Sequence, residues 1–107
     1  MIRETDAMDM HDDPEFQALI RDFVSDLAGK LDTITRARTA ADREALATEA
    51  HRIAGSAGAY GFERLGATAR ACEQQVRGGG DDGAVDRAAD ALEAEIRAAA
   101  SSRSNAA

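Results

Sequence analysis

The chain has little of several residue types, and each scarcity excludes a class of protein. Of its 107 residues one is cysteine, one is proline, four are aromatic and none is tryptophan. A single cysteine, Cys72, cannot form an internal disulfide, which favours a reducing compartment. No apolar run approaches the ~20 residues needed to span a bilayer, and the acidic N-terminus lacks the apolar stretch of a secretory signal. These absences predict a soluble, cytoplasmic protein.

Large apolar side chains are also scarce. Alanine supplies 25 of the 47 hydrophobic residues, and four of the other 22 lie in the first ten positions. This is too little for a sheet-based domain or an ordinary catalytic pocket, but enough for a small helical bundle, in which alanine permits close helix approach. The 13 basic residues against 20 acidic ones give a charge of −7. This charge argues against a nucleic-acid binder, because phosphate contacts require a basic surface.

Helical spacing of apolar residues predicts an all-α fold, an antiparallel up-down four-helix bundle over residues 13–100. Residues 1–12 are predicted to be a flexible acidic tail, with room for a short extra helical turn, and residues 101–107 a disordered C-terminal tail. Asp12, Asp13 and Pro14 favour the start of a first helix of about 24 residues. The predicted inward residues of this helix are Phe16, Leu19, Ile20, Phe23, Val24, Leu27, Leu31 and Ile34.

Capping residues and glycines predict where the other three helices begin and end. Thr39 with Asp42 resembles a capping pair for the second helix, and Gly58–Gly61 is a plausible turn before the third. Gly78–Gly80 predicts the end of the third helix, and Asp81 or Asp82 caps the fourth. The predicted inward residues are Leu46, Ala50, Ile53, Ala54 and Ala57, then Phe62, Leu65, Ala69, Cys72 and Val76, then Val85, Ala88, Leu92, Ile96 and Ala99.

The segment at residues 50–61, AHRIAGSAGAYG, carries the most information about function. At 100° per residue from an inward Leu46, His51 falls near 140°, Gly55 near 180° and Gly58 near 120°. These three residues therefore form one outward stripe. A glycine inside a helix costs roughly 0.8–1 kcal/mol relative to alanine, so two on this stripe oppose helix stability. In return they leave a bare surface beside a nucleophilic imidazole, which another protein could approach closely.

This segment, followed by Phe62, Leu65 and Cys72-Glu73, resembles the histidine-containing phosphotransfer (HPt) family. The resemblance implies a four-helix bundle whose exposed His51 accepts a phosphoryl group from a receiver-domain aspartate and passes it to another receiver. It implies no ATP site, no enzyme activity and no cofactor of its own, with Mg²⁺ on the partner receiver. Receiver domains of response regulators or of a hybrid histidine kinase are the expected partners.

One position departs from the family pattern. The family often has lysine three residues after the histidine, where this chain has Ala54. Arg52, Arg64 and Arg70 are the nearby cations by sequence, and Arg52 lies about 100° around the helix from His51. Weaker stabilisation of phosphohistidine is one hypothesis, which a comparison of phospho-His51 lifetimes in wild type and Ala54→Lys would test. Gly55, Gly58, Arg52 and Ser56 are the residues predicted to lie at the docking surface.

Several residues near the motif admit a structural interpretation. Tyr60 and Phe62 are expected to pack in the core or at a hinge. Glu73 and Gln74 either face the site or lie on a solvated surface. We expect Cys72 to be a small buried hydrophobe.

Two details of the motif helix stay open at this point. Ser56 is expected to bond back to a helix carbonyl, and its minority interpretation is a role in orienting the imidazole. Gly55-Ser56 could also end the helix, which would weaken the stripe argument.

The rival function is a helical interaction module that binds a receiver or kinase without carrying phosphate. The charge distribution bears on the choice, because residues 39–77 are neutral while residues 1–15 carry −5 and residues 78–107 carry −3. A neutral docking surface fits a partner with an acidic pocket and a phosphoryl group. Nothing in the sequence demands a dimer, and no metal site is predicted.

Overall fold

The computed structural model describes residues 13–106, with side chains up to residue 101. Every regular element in this range is a helix, which confirms the predicted all-α class. The predicted N-terminal tail and extra turn, residues 1–12, lie outside the described residues. The helices are α1 (Pro14–Ser25), α2 (Leu27–Thr39), α3 (Arg43–Ala59), α4 (Glu63–Arg77) and α5 (Asp82–Ala106).

The first predicted helix is divided into α1 and α2 at Asp26. Asp26 keeps a right-handed helical conformation, and its N–H contacts the carbonyl oxygens of Asp22 and Phe23 at 3.0 and 3.2 Å. The neighbouring Ser25 hydroxyl donates to the Asp22 carbonyl at 3.1 Å. The helical bonds on either side persist, since the Lys30 N–H also donates to the Asp26 carbonyl at 3.1 Å. The interruption is therefore a local deviation, which apolar periodicity does not reveal. The two segments together form the first rod of the four-helix bundle.

Of the two residues predicted to cap α3, Asp42 is confirmed and Thr39 is wrong. Asp42 is the N-cap, and its side chain accepts from the Ala45 N–H at 3.0 Å. Thr39 ends α2 instead, with its hydroxyl bonded to the Thr35 carbonyl at 3.0 Å. The turn between them includes Ala41 at φ 53°, a left-handed conformation that alanine adopts at a cost.

The last helix also differs from its prediction at the C-terminal end. Asp81 caps it by accepting from the Ala84 N–H at 2.8 Å. It continues to Ala106, although residues 101–107 were expected to be a disordered tail. The segment has no glycine or proline after Gly83, so nothing in its backbone chemistry forces the helix to stop earlier.

The core lies between α2, α3, α4 and α5, each packed against the next, with α5 closing the ring against α2. Short connections make consecutive helices antiparallel. One predicted inward position is wrong, because Leu19 is 48% exposed. Leu19 lies on the side of α1 that faces away from the core, while Ile20 and Phe23 on the same helix are buried. Ala88 is partly buried and packs against the core beside the fully buried Ala89. Residues below 2% exposure with large side chains are Ile20, Leu27, Ile34, Ile53, Leu65, Leu92, Ile96 and Cys72.

An aromatic cluster fixes α1 on the α3–α4 turn. The Tyr60 ring lies 5.8 Å from that of Phe16 and 5.4 Å from that of Phe23, which is also 5.4 Å from Phe62. Tilted pairs at such distances are favourable. Tyr60 and Phe62 therefore act in packing, as the sequence predicted. They pack the C-terminal end of α3, just after the glycine-rich segment, against α1.

Candidate functional site

The outward stripe predicted on the second helix is present on α3. His51, Gly55 and Gly58 all lie within the helix, which ends at Ala59, so the alternative of an end at Gly55-Ser56 is wrong. All three residues are exposed, and 72% of the His51 side-chain surface is open to solvent. The left-handed residue that turns the chain is Gly61, at φ 85°.

The two glycines of the stripe have no packing role in the fold. A Cβ atom built on Gly55 or Gly58 meets nothing within 4 Å. Gly66 on α4 differs, because a Cβ there lies 3.6 Å from the Ala54 carbonyl oxygen, the Ala57 Cβ and the Gly58 nitrogen. The close approach of α3 to α4 thus involves Gly66, while the stripe leaves bare helix backbone beside His51.

Glu73 on α4 holds one nitrogen of the imidazole. His51 Nδ1 lies 3.1 Å from each carboxylate oxygen of Glu73, whose side chain is only 17% exposed. An ionised carboxylate can only accept, so Nδ1 carries the proton and donates. The tautomer fixed in this way leaves the Nε2 lone pair available.

A second contact keeps Glu73 ionised. Arg77 Nε donates to Glu73 Oε2 at 2.9 Å, and another nitrogen of the same guanidinium lies 3.5 Å from Glu44 Oε1. Arg77, and after it His51, lower the pKa of the Glu73 carboxyl below its usual range. The bond to Glu73 raises the pKa of Arg77. His51 therefore lies at the end of a chain of charged contacts, Glu44–Arg77–Glu73, at one edge of the α3–α4 seam.

This arrangement is an exposed nucleophilic imidazole with an orienting carboxylate and no enclosing pocket. A comparison with protein-family models matches residues 18–102 to the Hpt domain. The chain belongs to the Hpt domain family. Hpt domains act in phosphotransfer of two-component signalling, where they interact with receiver domains. They are phosphoryl carriers rather than enzymes with a catalytic site of their own.

The Hpt match covers the middle of α1 through most of α5 and includes the entire site. Searches of curated proteins and of solved structures gave no match. No helix within residues 13–106 is both long and apolar enough to cross a lipid bilayer.

The three cations expected near the site of this Hpt domain differ in their surroundings. An Arg52 nitrogen is 3.7 Å from Glu49, and Arg64 Nε is 3.3 Å from Glu95 on α5. Arg70 is exposed on α4, and no carboxylate lies within 4 Å of it among residues 13–101. Ala54, at the position of the family lysine, is 6% exposed and faces α4.

The remaining predictions around the site have mixed outcomes. Ser56 is partly buried, and within the described residues its hydroxyl makes none of the back-bonds seen at Thr33, Thr39 and Thr68. The expected bond from Ser56 to a helix carbonyl is therefore wrong. Cys72 is fully buried, and burial raises the pKa of its thiol, so it is an unreactive core residue as predicted.

Sequence reasoning left Glu73 undecided between site and solvated surface, and it missed Arg77 and Glu44. The signal that finds them is the antiparallel register of α3 and α4 about Phe62. Gly58 and Gly66 each lie four residues from Phe62, and His51 and Glu73 each lie eleven residues from it, so residues equally far on either side of Phe62 are paired. Periodicity within one helix does not contain this information.

Proposed function

We propose that His51 is the phosphoryl-carrying residue of this Hpt domain, accepting the group from a receiver-domain aspartate and passing it to a second receiver. The observation that carries this proposal is the bond from His51 Nδ1 to Glu73 at 3.1 Å on an otherwise exposed ring. It leaves Nε2 unprotonated and directed away from the carboxylate. The ring can therefore attack a phosphorus atom that another protein presents.

The transfer forms one bond and breaks another. The Nε2 lone pair of His51 attacks the phosphorus of the aspartyl phosphate, and the P–O bond breaks with its electron pair going to the departing carboxylate. The Nδ1 proton stays on the ring, which becomes positively charged. Glu73 faces that proton and stabilises the charge, and the reverse steps deliver the group to the next receiver.

The surface around His51 suits this partner. Gly55 and Gly58 expose helix backbone along one side of the imidazole, so a receiver loop can approach without meeting side chains. Arg52 is exposed and Ser56 is partly buried on the same helix, and their place at the edge of this docking surface stays a prediction. We place the Mg²⁺ that assists in-line transfer on the receiver, whose own acidic residues would hold it.

The test is transfer of radiolabelled phosphate from a phosphorylated receiver domain to the wild-type chain and to His51→Gln. The proposal expects acid-labile label on the wild-type protein and none on His51→Gln. Label that persists on His51→Gln places the carrier site elsewhere. A chain that binds the receiver but never takes up label supports the rival function, an interaction module without phosphate.

A matched variant separates the role of His51 in carrying the phosphoryl group from the role of Glu73 in orienting the imidazole. Glu73→Gln keeps the size of the side chain but can present its amide to Nδ1 as either donor or acceptor, so the tautomer is no longer fixed. The expected result is slower uptake of label at an unchanged final site. An uptake rate equal to that of wild type would show that the carboxylate has no part in transfer.

A further inference from the structure

Charge around His51 is unbalanced once the ring carries a phosphoryl group. On the Nδ1 side Glu44 and Glu73 share one cation, Arg77, so this group of three side chains has a net charge of −1. Phosphorylation at Nε2 makes the ring positive, which offsets this charge, but it also adds up to two negative charges at the other end of the ring. The phosphoryl group therefore requires a cation that the Glu44–Arg77–Glu73 contacts do not already engage.

Most of the basic side chains near the site already pair with a carboxylate or lie on the Nδ1 side of the imidazole. Arg52 pairs with Glu49, and Arg64 pairs with Glu95 on α5. Arg77 donates to Glu73 at 2.9 Å on the Nδ1 side of the ring.

Arg70 differs from these side chains in both surroundings and position. It lies three residues before Glu73 and seven before Arg77, so the three side chains share one edge of α4. Arg70 therefore lies about 4.5 Å along the axis of α4 from Glu73, which contacts His51. Because α3 and α4 are antiparallel, this displacement is toward Gly55, the open side of the imidazole. Among residues 13–101 no carboxylate lies within 4 Å of it.

We propose that Arg70 is the cation that contacts the phosphoryl group on His51 Nε2. This inference rests on the proposed function of His51. The helix axes lie ~8–10 Å apart, so the long side chain of Arg70 spans the seam to the open side of the ring. A guanidinium can donate two parallel hydrogen bonds to phosphoryl oxygens. Bare backbone at Gly55 leaves the room that this contact needs.

The experiment phosphorylates the purified chain directly with phosphoramidate, a small donor that needs no partner protein, and follows the phosphohistidine by ³¹P NMR across pH. Arg70→Gln is the test variant, and Arg64→Gln on the same helix is the matched control because its guanidinium pairs with Glu95. If Arg70 contacts the group, Arg70→Gln raises the pKa of the phosphoryl group by about half a unit, while Arg64→Gln leaves it unchanged. Arg70→Lys restores most of the difference.

Salt and a second variant make the result decisive. The difference between Arg70→Gln and wild type should shrink at 1 M salt, where the Debye length is about 3 Å. Equal phosphoryl titrations in Arg70→Gln and Arg64→Gln would overturn the inference about Arg70 while leaving the carrier role of His51 intact. Absence of a phosphohistidine signal in wild type, or a signal that persists in His51→Gln, would instead overturn the proposed function.

Discussion

Replacing Gly55 by alanine should make the bundle more stable and phosphotransfer slower. Gly55 lies inside α3 with helical backbone, and a Cβ built there meets nothing within 4 Å. The substitution therefore gains helix propensity without a steric cost, which is worth about 0.8–1 kcal/mol. For a domain near 100 residues this corresponds to a rise in melting temperature of roughly 3–8 °C. Thermal unfolding followed by circular dichroism at 222 nm measures it.

The same methyl group occupies the surface that a receiver would approach. Filling space at a closely packed contact costs about 1–3 kcal/mol, which corresponds to a loss of roughly 5- to 160-fold in the rate of transfer from a receiver. Uptake from phosphoramidate should stay within about twofold of wild type, because the small donor needs no helix backbone contact. The assay compares the two donors on the same preparation of Gly55→Ala.

Gly29→Ala is the matched control. Gly29 is also an exposed helical glycine whose added Cβ would meet nothing within 4 Å, but it lies on α2. It should give a similar stabilisation and leave transfer from the receiver unchanged. Wild-type transfer rates in Gly55→Ala, combined with the expected stabilisation, would refute the assignment of this stripe as a docking surface. A lower melting temperature would refute the analysis of its helical packing.

Three further predictions concern the site and the scaffold. Arg77→Gln should raise the pKa of Glu73, because Arg77 is the main cause of its lowering; a ¹³C carboxyl titration with an unmoved midpoint would contradict this. Because the pKa of Glu73 is lowered in the folded state, its contribution to the stability of the folded protein is present above the ordinary carboxyl pKa range. That contribution is lost as the pH falls through the lowered pKa, and it should be smaller in Arg77→Gln. Ala41→Gly should raise the free energy of unfolding by up to about 1 kcal/mol by relieving its φ of 53°, and a decrease in urea denaturation would contradict it. Phe23→Ala should cost ~3–5 kcal/mol, because it removes a 5%-exposed ring that contacts Tyr60, and a loss under 1 kcal/mol would show that α1 is not held by this cluster.

Sequence patterns predicted most of the fold because the spacing of apolar residues within a helix indicates which of its faces is buried. Ile53, Ala57 and Leu65 repeat at helical intervals, and all are buried. The failures occur where burial depends on what lies opposite. Leu19 belongs to the same apolar stripe as its neighbours, yet it is exposed because α1 packs against the other helices far less extensively than α2 to α5 do. The break at Asp26 was missed because it leaves the apolar spacing of the first rod unchanged.

The candidate site divides in the same way. His51, Gly55 and Gly58 share one helix, so the angle between them follows from helix geometry alone. Glu73 and Arg77 lie on the next helix, and their position depends on the register of two helices. That register is set by the length of the turn and by the close contact at Gly66. Neither feature is visible in the spacing of residues around His51.

Ala54 links the core to the site and changes how the missing family lysine should be tested. Its carbonyl oxygen lies 3.6 Å from where a Gly66 Cβ on α4 would be, and the residue is 6% exposed and part of the core. Ala54→Lys would bring a long charged side chain to this closely packed position, where overpacking costs about 1–3 kcal/mol. The helices would then separate and weaken the His51–Glu73 bond, so a changed phosphohistidine lifetime in that variant would mix two causes. Substitution of exposed Arg70 leaves the seam intact, and therefore it isolates the effect of charge.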